Sequence, residues 1–274
     1  MSLKLVTTER DEEGAAEAAR CVVETHRALA EFLRVGVTLA EVDVFVAETL
    51  SKLGSKSCFL RYRVPKLPPF PNHACLSVND CVVHGTAGGH TEPMCSGDVL
   101  KIDIGVLKDG WIGDAAWTYC FGEPSEEAGR LMAAGKESLA RGVAELKAGG
   151  VLLDYARAVQ GHVEDECGFH LVRGLGGHGY GRRLHESPWI SNVAPTFPGE
   201  WPDALMEIPV GLLVAVEPML AVGSPHTRSA KRDWPMYSAD GSLTVHYEAD
   251  VLVTEDGPRD LTAGLAEIED VITR

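Results

Sequence analysis

The spacing of apolar and polar residues in the first half of the chain predicts helices followed by strands. Apolar positions between 9 and 33 recur at helical intervals and predict an amphipathic helix. Thr38, with Glu41 three residues later, forms a capping-box pattern that predicts a second helix across 39–53. The stretch 60–74 is rich in proline with basic and aromatic residues, so it predicts irregular structure. Strands are expected near 74–83, 98–106 and 111–121.

The second half repeats this order of elements. Helices are predicted at 124–147 and 151–167, and strands are expected near 169–174, 211–220 and 244–254. A stretch with proline and tryptophan, 188–210, interrupts the second half. The repeated order predicts one α+β domain over 1–274 with pseudo-twofold halves at about 9–121 and 124–254. Its antiparallel sheet is expected inside, with helices on the outer face.

Composition and charge narrow the class of protein. The chain is 45% hydrophobic and 24% charged, which is typical of a soluble globular protein. Its 25 basic and 40 acidic side chains give a formal charge of −15, which argues against stable nucleic-acid binding. No signal peptide and no membrane span are expected, because the start of the chain is charged and long uncharged runs are absent. Seven cysteines without a CxxC pair favour reduced thiols in a cytoplasmic protein.

Two aspartates flank a hairpin signal. Asp109-Gly110 lies between two apolar runs and predicts a tight turn. A two-residue loop would make Asp103 and Asp114 diagonal neighbours on one face of the sheet, close enough to share an ion. A three-residue loop would place them on opposite faces. The alternative interpretation is two solvated aspartates on an exposed face.

Three histidines stand at places where backbone or ligands could approach closely. His178 lies within Gly-Gly-His-Gly-Tyr-Gly, which predicts a glycine turn, and His185 follows seven residues later. A lone histidine in such a turn is more often a structural hydrogen bonder, but the paired aspartates favour a functional interpretation. His84 ends an apolar strand before a glycine, as either a core histidine or a group in an active site.

Two glutamates are weaker candidates. Glu217 interrupts the apolar run 212–219, where the alternative is an edge strand with one exposed glutamate. Glu248 shares one face of an alternating strand with His246 and Asp250, and a half-solvated strand would explain that alternation fully. Carboxylates in apolar strands are costly to bury unless a cation or hydrogen bonds compensate for the lost water. Asp103, Asp114, His178, Glu217 and Glu248 together therefore predict one metal site.

Four segments resemble the pita-bread metallopeptidases, and most closely the type I methionine aminopeptidases. They are Cys75-Leu-Ser-Val-Asn-Asp-Cys-Val-Val-His-Gly, Lys101-Ile-Asp-Ile-Gly with Gly113-Asp114, Gly177-His-Gly-Tyr-Gly-Arg-Arg-Leu-His-Glu-Ser-Pro188, and Val216-Glu-Pro-Met219. The resemblance extends from the first helix to about residue 262. The spacing of seven between the two histidines is similar to type I enzymes rather than to type II enzymes or prolidase-like relatives. The resemblance implies a pita-bread fold and removal of methionine from peptide N-termini.

The resemblance also implies a role for each candidate residue. Asp103 would bind one of two divalent ions, Asp114 and Glu248 would bridge both, and His178 with Glu217 would complete the other. Cobalt, manganese, iron and zinc all suit such a donor set. Hydrolysis would use a water-derived nucleophile, with Glu217 accepting and returning the proton. His84 would contact the scissile amide or the developing intermediate, and His185 the substrate backbone.

A methionine pocket follows from the same resemblance. It would be lined by Phe70, Cys75, Cys58 and Trp234, apolar or sulfur groups that suit a flexible thioether.

The chain also departs from the family pattern at several positions. His246 stands where the family usually has glutamine and Ala249 where it has histidine. Ala115 and Ala116 replace hydroxyl residues, and Gly105 replaces a frequent threonine. None of these positions is a candidate ligand, so we expect the departures to affect the surroundings of the metals and the specificity.

Three functions are therefore considered. The first is a monomeric methionine aminopeptidase acting on nascent proteins, including those at the ribosome, or on short peptides, preferably with a small second residue. The second is a related M24-type aminopeptidase with altered or proline-directed specificity. The third is a pita-bread protein that binds peptides without catalysis.

Overall fold

The computed structural model describes residues 3–274, and its helices lie close to the predicted positions. They are α1 (Glu9–Phe32), α2 (Leu39–Lys52), α3 (Glu126–Glu145) and α4 (Leu152–Gln160), with a π-helical turn at Gly161–Glu166 and a 3₁₀ turn at Ala263–Glu267. The capping box is confirmed, because the Thr38 hydroxyl accepts the N–H of Glu41 and the Glu41 carboxylate accepts the N–H of Thr38. The prediction of one helix across 151–167 was too long for α4, since the π-helical turn takes over its last part. Within the described range, no helix is both long and apolar enough to cross a membrane.

The strands are short except for one long hairpin. They are β1 (Lys56–Ser57), β2 (Cys75–Val78), β3 (Cys81–Val83), β4 (Val99–Lys108), β5 (Trp111–Phe121), β6 (His170–Leu171), β7 (Gly176–Gly179), β8 (Glu186–Ser191), β9 (Leu213–Val216), β10 (Met219–Ala221), β11 (Thr227–Ser229), β12 (Met236–Ser238), β13 (Thr244–His246), β14 (Ala249–Thr254), β15 (Gly257–Asp260) and β16 (Val271–Ile272). Two sequence-based predictions were wrong here. β7 occupies the expected glycine turn, and the strands expected at 74–83, 211–220 and 244–254 are each divided in two.

Two five-stranded sheets carry most of the fold. In the first, the order is β1-β4-β5-β16, with β2 also paired to β4. In the second, the order is β15-β14-β9-β7-β8. The pairings are antiparallel as predicted, except that β16 runs parallel to β5, so the last strand of the chain completes the sheet of the first half. The expected α+β architecture, with a helix pair preceding the sheet in each half, is confirmed.

One contiguous apolar core runs through both halves. It contains Leu29 of α1, Ile104 of β4, Tyr155 of α4 and Val214 of β9, all fully buried. Helix α1 packs on β4 and β5, whereas α3 packs on α4 and on strands of the second half. Burial of apolar side chains on this scale fixes the two sheets against each other. Residues of β4, β5 and β7, and the segment that follows β9, line a common cavity.

Candidate metal centre

The β4–β5 hairpin places the two aspartates on one face. Lys108 pairs with Trp111 across the turn, and the register continues with Asp103 opposite Ala116 and Gly105 opposite Asp114. Asp109 and Gly110 both have positive φ, +48° and +82°, as a two-residue hairpin turn requires. The predicted diagonal arrangement is confirmed. The alternative of two solvated aspartates is wrong, because Asp114 is 3% exposed and Oδ1 of each aspartate is buried.

His178 lies on β7, between β8 and β9, rather than in a turn. The glycine beside it permits close approach of neighbouring backbone: a Cβ on Gly177 would lie 2.3 Å from the carbonyl oxygen of Ala215 on β9. The ring nitrogen Nδ1 of His178 is 3.1 Å from the Gly179 carbonyl oxygen, to which it donates its hydrogen. This hydrogen bond leaves the lone pair on Nε2 free to face the cavity.

The two glutamates lie at the interruptions of the divided strands. Glu217 separates β9 from β10, and Glu248 separates β13 from β14. The Glu248 N–H donates to the Ala116 carbonyl oxygen at 3.0 Å, which holds this break against β5. The half-solvated strand considered for Glu248 is wrong, since His246, Glu248 and Asp250 are 2%, 2% and 0% exposed.

The candidate ligands converge on one point. Nε2 of His178 is 3.8 Å from Oδ2 of Asp114 and 3.9 Å from Oε1 of Glu217. One donor atom from each of Asp114, His178 and Glu248 lies within 4.8 Å of the others, a grouping that could hold a metal ion. Asp103 lines the same cavity and raises the pKa of Asp114 through its charge. All five predicted ligands are therefore brought together.

The electrostatics of this cluster fit a cation. Burial and the charge of Glu217 raise the pKa of Asp103 to about 8. Burial, followed by the charge of Asp114, raises the pKa of both Glu217 and Glu248 well above the usual range. Oδ1 of Asp103 and Oδ1 of Asp114 are buried without hydrogen-bond partners. Carboxylates packed this closely need protons or a cation between them, and the oxygen-rich donor set with one imidazole suits a divalent metal.

The buried histidines are neutral in these surroundings. Burial, with a smaller contribution from the nearby His185, lowers the pKa of His178 to about 3 and that of His84 to about 4. Burial also lowers the pKa of His246 to about 3, with smaller contributions from His84 and Lys101. A neutral imidazole offers a lone pair, so each ring could accept a proton or bind a cation.

His84 and His185 border the cluster from two sides. His84 follows β3 with a positive φ of +57° and lies edge-on to Trp234, with ring centroids 5.9 Å apart. His185 lies edge-on to His178 at 4.4 Å, and its Nδ1 is 2.6 Å from the Tyr62 hydroxyl. Tyr62 was not predicted as a site residue, because nothing in the irregular stretch 60–74 indicates which of its side chains reaches His185.

The cluster lies in a cavity of about 450 Å³ whose apolar part contains most of the predicted substrate residues. Phe70 and Trp234 meet edge-to-face at 5.2 Å, and the Trp234 indole N–H donates to the Pro68 carbonyl oxygen at 2.9 Å. Cys75 lines the pocket and pairs across β2 and β4 with Asp103. Cys58 lies behind the wall, against Gly105, and is not among the lining residues. Other lining residues that sequence reasoning missed are Phe59, Leu184 and Trp189.

Asp250 is a further buried carboxylate near the cluster. Its Oδ2 accepts the backbone N–H of Asp114 at 2.9 Å, and its own N–H donates to the Thr262 hydroxyl. Asp250 thus fixes the backbone that carries a candidate ligand. Its position two residues after Glu248 on the same strand face was visible in the sequence, but its partner on β5 was not.

Comparisons with known proteins agree with this geometry. Residues 13–255 match the sequence profile of metallopeptidase family M24. The chain is 33% identical over 258 residues to a methionine aminopeptidase of Clostridium acetobutylicum, covering 94% of this chain and 98% of that protein. The crystal structure of a methionine aminopeptidase from Thermotoga maritima is similar with a TM-score of 0.86 and 31% identity, covering 95% of this chain and 99% of that one. A prolidase from Pyrococcus furiosus shares the fold at 20% identity and a TM-score of 0.71, with 65% of its length covered.

Proposed function

The chain belongs to metallopeptidase family M24, and we propose that it removes methionine from the N-terminus of peptides and nascent proteins. The observation that carries this proposal is a single cavity with two distinct ends. One end holds four carboxylates and His178, and the other is an apolar pocket built on Phe70 and Trp234. An N-terminal residue could place its amine and carbonyl at the polar end and its side chain in the pocket.

The pocket suits methionine for physical reasons. A thioether is flexible and polarizable, so it fills an irregular apolar space and makes favourable contacts with aromatic edges. Phe59 and Phe70 meet edge-to-face at 6.3 Å, and Phe70 meets Trp234 in the same manner. We therefore assign the bound side chain to this aromatic wall, with Cys75 beside it. Phe59 also lines the pocket, whereas the thiol of Cys58 lies beside Gly105.

Family membership implies divalent metal, and we propose two ions held by Asp103, Asp114, His178, Glu217 and Glu248. Cobalt, manganese, iron and zinc are all compatible with these donors. When bound, such ions polarise a carbonyl and lower the pKa of water. Asp114 and Glu248, both almost fully buried in the cluster, would be the residues shared by the two ions.

Three side chains are proposed to bind the peptide and to transfer the proton. Glu217 is proposed to accept the proton of the attacking water and to return it to the leaving amine. His84, fixed by its unusual backbone conformation beside Trp234, is proposed to donate to the amide of the scissile bond. His185, oriented by the Tyr62 hydroxyl, is proposed to contact the substrate backbone after that bond.

We further propose that the protein acts as a monomer in the cytoplasm, on nascent chains at the ribosome or just after release.

Peptide hydrolysis by metal-reconstituted protein tests the proposal. Met-Ala-Ser, Leu-Ala-Ser and Ala-Pro peptides are compared with manganese or cobalt present, and release of methionine alone is expected. Preferential cleavage of Ala-Pro would indicate a proline-directed enzyme instead. Absence of turnover with every divalent metal would favour a peptide-binding protein, although the convergence of all five candidate ligands argues for catalysis.

The metal assignment has a separate test. Asp114→Asn removes a charge from the centre of the cluster, so it should abolish metal uptake and peptide hydrolysis together. Calorimetric titration with manganese measures the first and methionine release the second. Full activity of Asp114→Asn would contradict the proposed ligand set.

A further inference from the structure

His246 has a buried nitrogen without a partner, directed at the metal centre. The side chain is 2% exposed, and Nε2 makes no hydrogen bond. It lies 3.4 Å from Oε2 of Glu217 and 4.0 Å from Oε2 of Glu248. A buried nitrogen without a hydrogen-bond partner lowers the stability of the folded protein, so its presence here calls for a functional explanation.

The two oxygens of Glu217 face different imidazoles. Oε1 is 3.9 Å from Nε2 of His178, and Oε2 is 3.4 Å from Nε2 of His246. His178 donates its Nδ1 hydrogen to Gly179, so its Nε2 is a lone pair that suits a cation. Nε2 of His246 instead faces only carboxylate oxygens among its ion-pair neighbours, and a lone pair there would be repelled by them. Its favourable tautomer therefore carries the hydrogen on Nε2.

The backbone of His246 is fixed independently of the metal centre. Its N–H donates to the Thr118 hydroxyl at 3.1 Å, and that hydroxyl donates to its carbonyl oxygen at 2.7 Å. Across the sheet, His246 on β13 pairs with Met219 on β10. The imidazole therefore projects from a strand that is fixed by backbone hydrogen bonds. Glu217 lies at a strand break, where the Asn192 side-chain amide donates to its backbone carbonyl oxygen at 2.9 Å.

We propose that His246 is a positioning residue whose Nε2–H holds Oε2 of Glu217 and so directs Oε1 toward His178 and the metal. The 3.4 Å separation is slightly longer than an ordinary hydrogen bond, and such contacts often tighten when an active site is occupied. Oε2 keeps a second lone pair, so it can still accept the proton that Glu217 transfers. His246 is assigned as a donor to Glu217 and not as a ligand, because its Nε2 faces Oε2 of Glu217 at 3.4 Å and Oε2 of Glu248 at 4.0 Å.

This inference rests on the proposed function, and its test separates the two. His246→Leu removes the donor, His246→Gln keeps an N–H of similar reach, and His246→Asn keeps a donor that is too short. His90→Leu is the matched control, because Nε2 of His90 is also buried without a partner but lies outside this cavity. Calorimetric titration with manganese measures metal affinity without any peptide, and methionine release from Met-Ala-Ser gives kcat and KM.

In His246→Leu and His246→Asn, metal affinity and kcat should each fall about 10- to 100-fold, as is usual when a partner of a metal ligand is lost. KM should change little, because Glu217 acts in metal binding and proton transfer rather than in peptide recognition. His246→Gln should restore both values, and its cobalt absorption spectrum should match the unmodified protein. His90→Leu should behave like the unmodified protein.

Two results would overturn the role of His246. Unchanged metal affinity and kcat in His246→Asn would show that no positioning contact exists, even if His246→Leu fails to fold. An altered cobalt spectrum in His246→Gln would show that the imidazole binds the metal directly. If the unmodified protein binds manganese but releases no methionine, the proposed function fails, and the metal affinities of the variants still decide the role of His246.

Discussion

Asp103→Asn provides the sharpest check on the electrostatics of the metal centre. Burial and the charge of Glu217 raise the pKa of Asp103 from 3.8 to about 8 in the folded, metal-free protein. A carboxyl group with a raised folded-state pKa holds its proton in the folded state and loses it in the unfolded chain. Its contribution to stability is therefore complete below pH 3.8 and is lost as the pH rises toward 8.

The magnitude follows from the number of protons involved. One proton retained only by the folded state changes the free energy of unfolding by about 1.4 kcal/mol per pH unit. Between about pH 5.5 and pH 7.5 Asp103 remains mostly protonated when folded, so its contribution should decrease by about 2.5 kcal/mol as an upper limit. Asparagine cannot titrate, so Asp103→Asn removes this part of the pH dependence.

The assay is urea denaturation of both proteins in a chelator across this pH range. The buried histidines have lowered pKa values and contribute with the opposite sign below pH 6.5. Lys101, whose pKa burial lowers from 10.5 to about 7, contributes with that sign only from about pH 7 upward. These contributions are common to both proteins and cancel in the difference. The stability of the unmodified protein relative to Asp103→Asn should therefore fall as pH rises. A difference that stays constant across the range would refute the argument, and saturating manganese should abolish the decline because the cation replaces the proton.

Three further outcomes follow from packing and hydrogen bonding. Gly105→Thr should destabilise the protein by about 1–3 kcal/mol in urea denaturation, because a Cβ there would lie 2.3 Å from the ring of Phe59. An unchanged urea midpoint would mean that the Phe59 ring can move aside. Asp43→Ala should cost about 1–3 kcal/mol, since its Oδ1 accepts the backbone N–H groups of His73 and Ala74 just before β2, and thermal unfolding measures the loss. Tyr62→Phe should lower kcat/KM for Met-Ala-Ser about 10-fold with unchanged metal affinity, because it removes only the hydroxyl that orients His185. A kcat/KM equal to that of the unmodified protein would exclude this role of Tyr62.

Local patterns in the sequence were sufficient where neighbouring residues determine the structure. The capping box of α2 and the Asp109-Gly110 turn each depend on a few adjacent residues, and both were predicted correctly. Because that turn fixes the register of β4 and β5, the diagonal placement of Asp103 and Asp114 also followed from the sequence. The family resemblance was carried by short segments that keep their order and spacing.

Only the tertiary structure decided how distant segments surround the metal centre. Alternation alone made Glu248 compatible with a half-solvated strand, and its burial depends on contact with β5 more than 130 positions earlier along the chain. The glycines around His178 predicted a turn, but they serve the close approach of β8 and β9, which no local pattern specifies. His246 was visible only as an unusual residue until folding placed its nitrogen beside Glu217. Sequence periodicity records which face a side chain occupies, whereas the partner across that face is set by long-range packing.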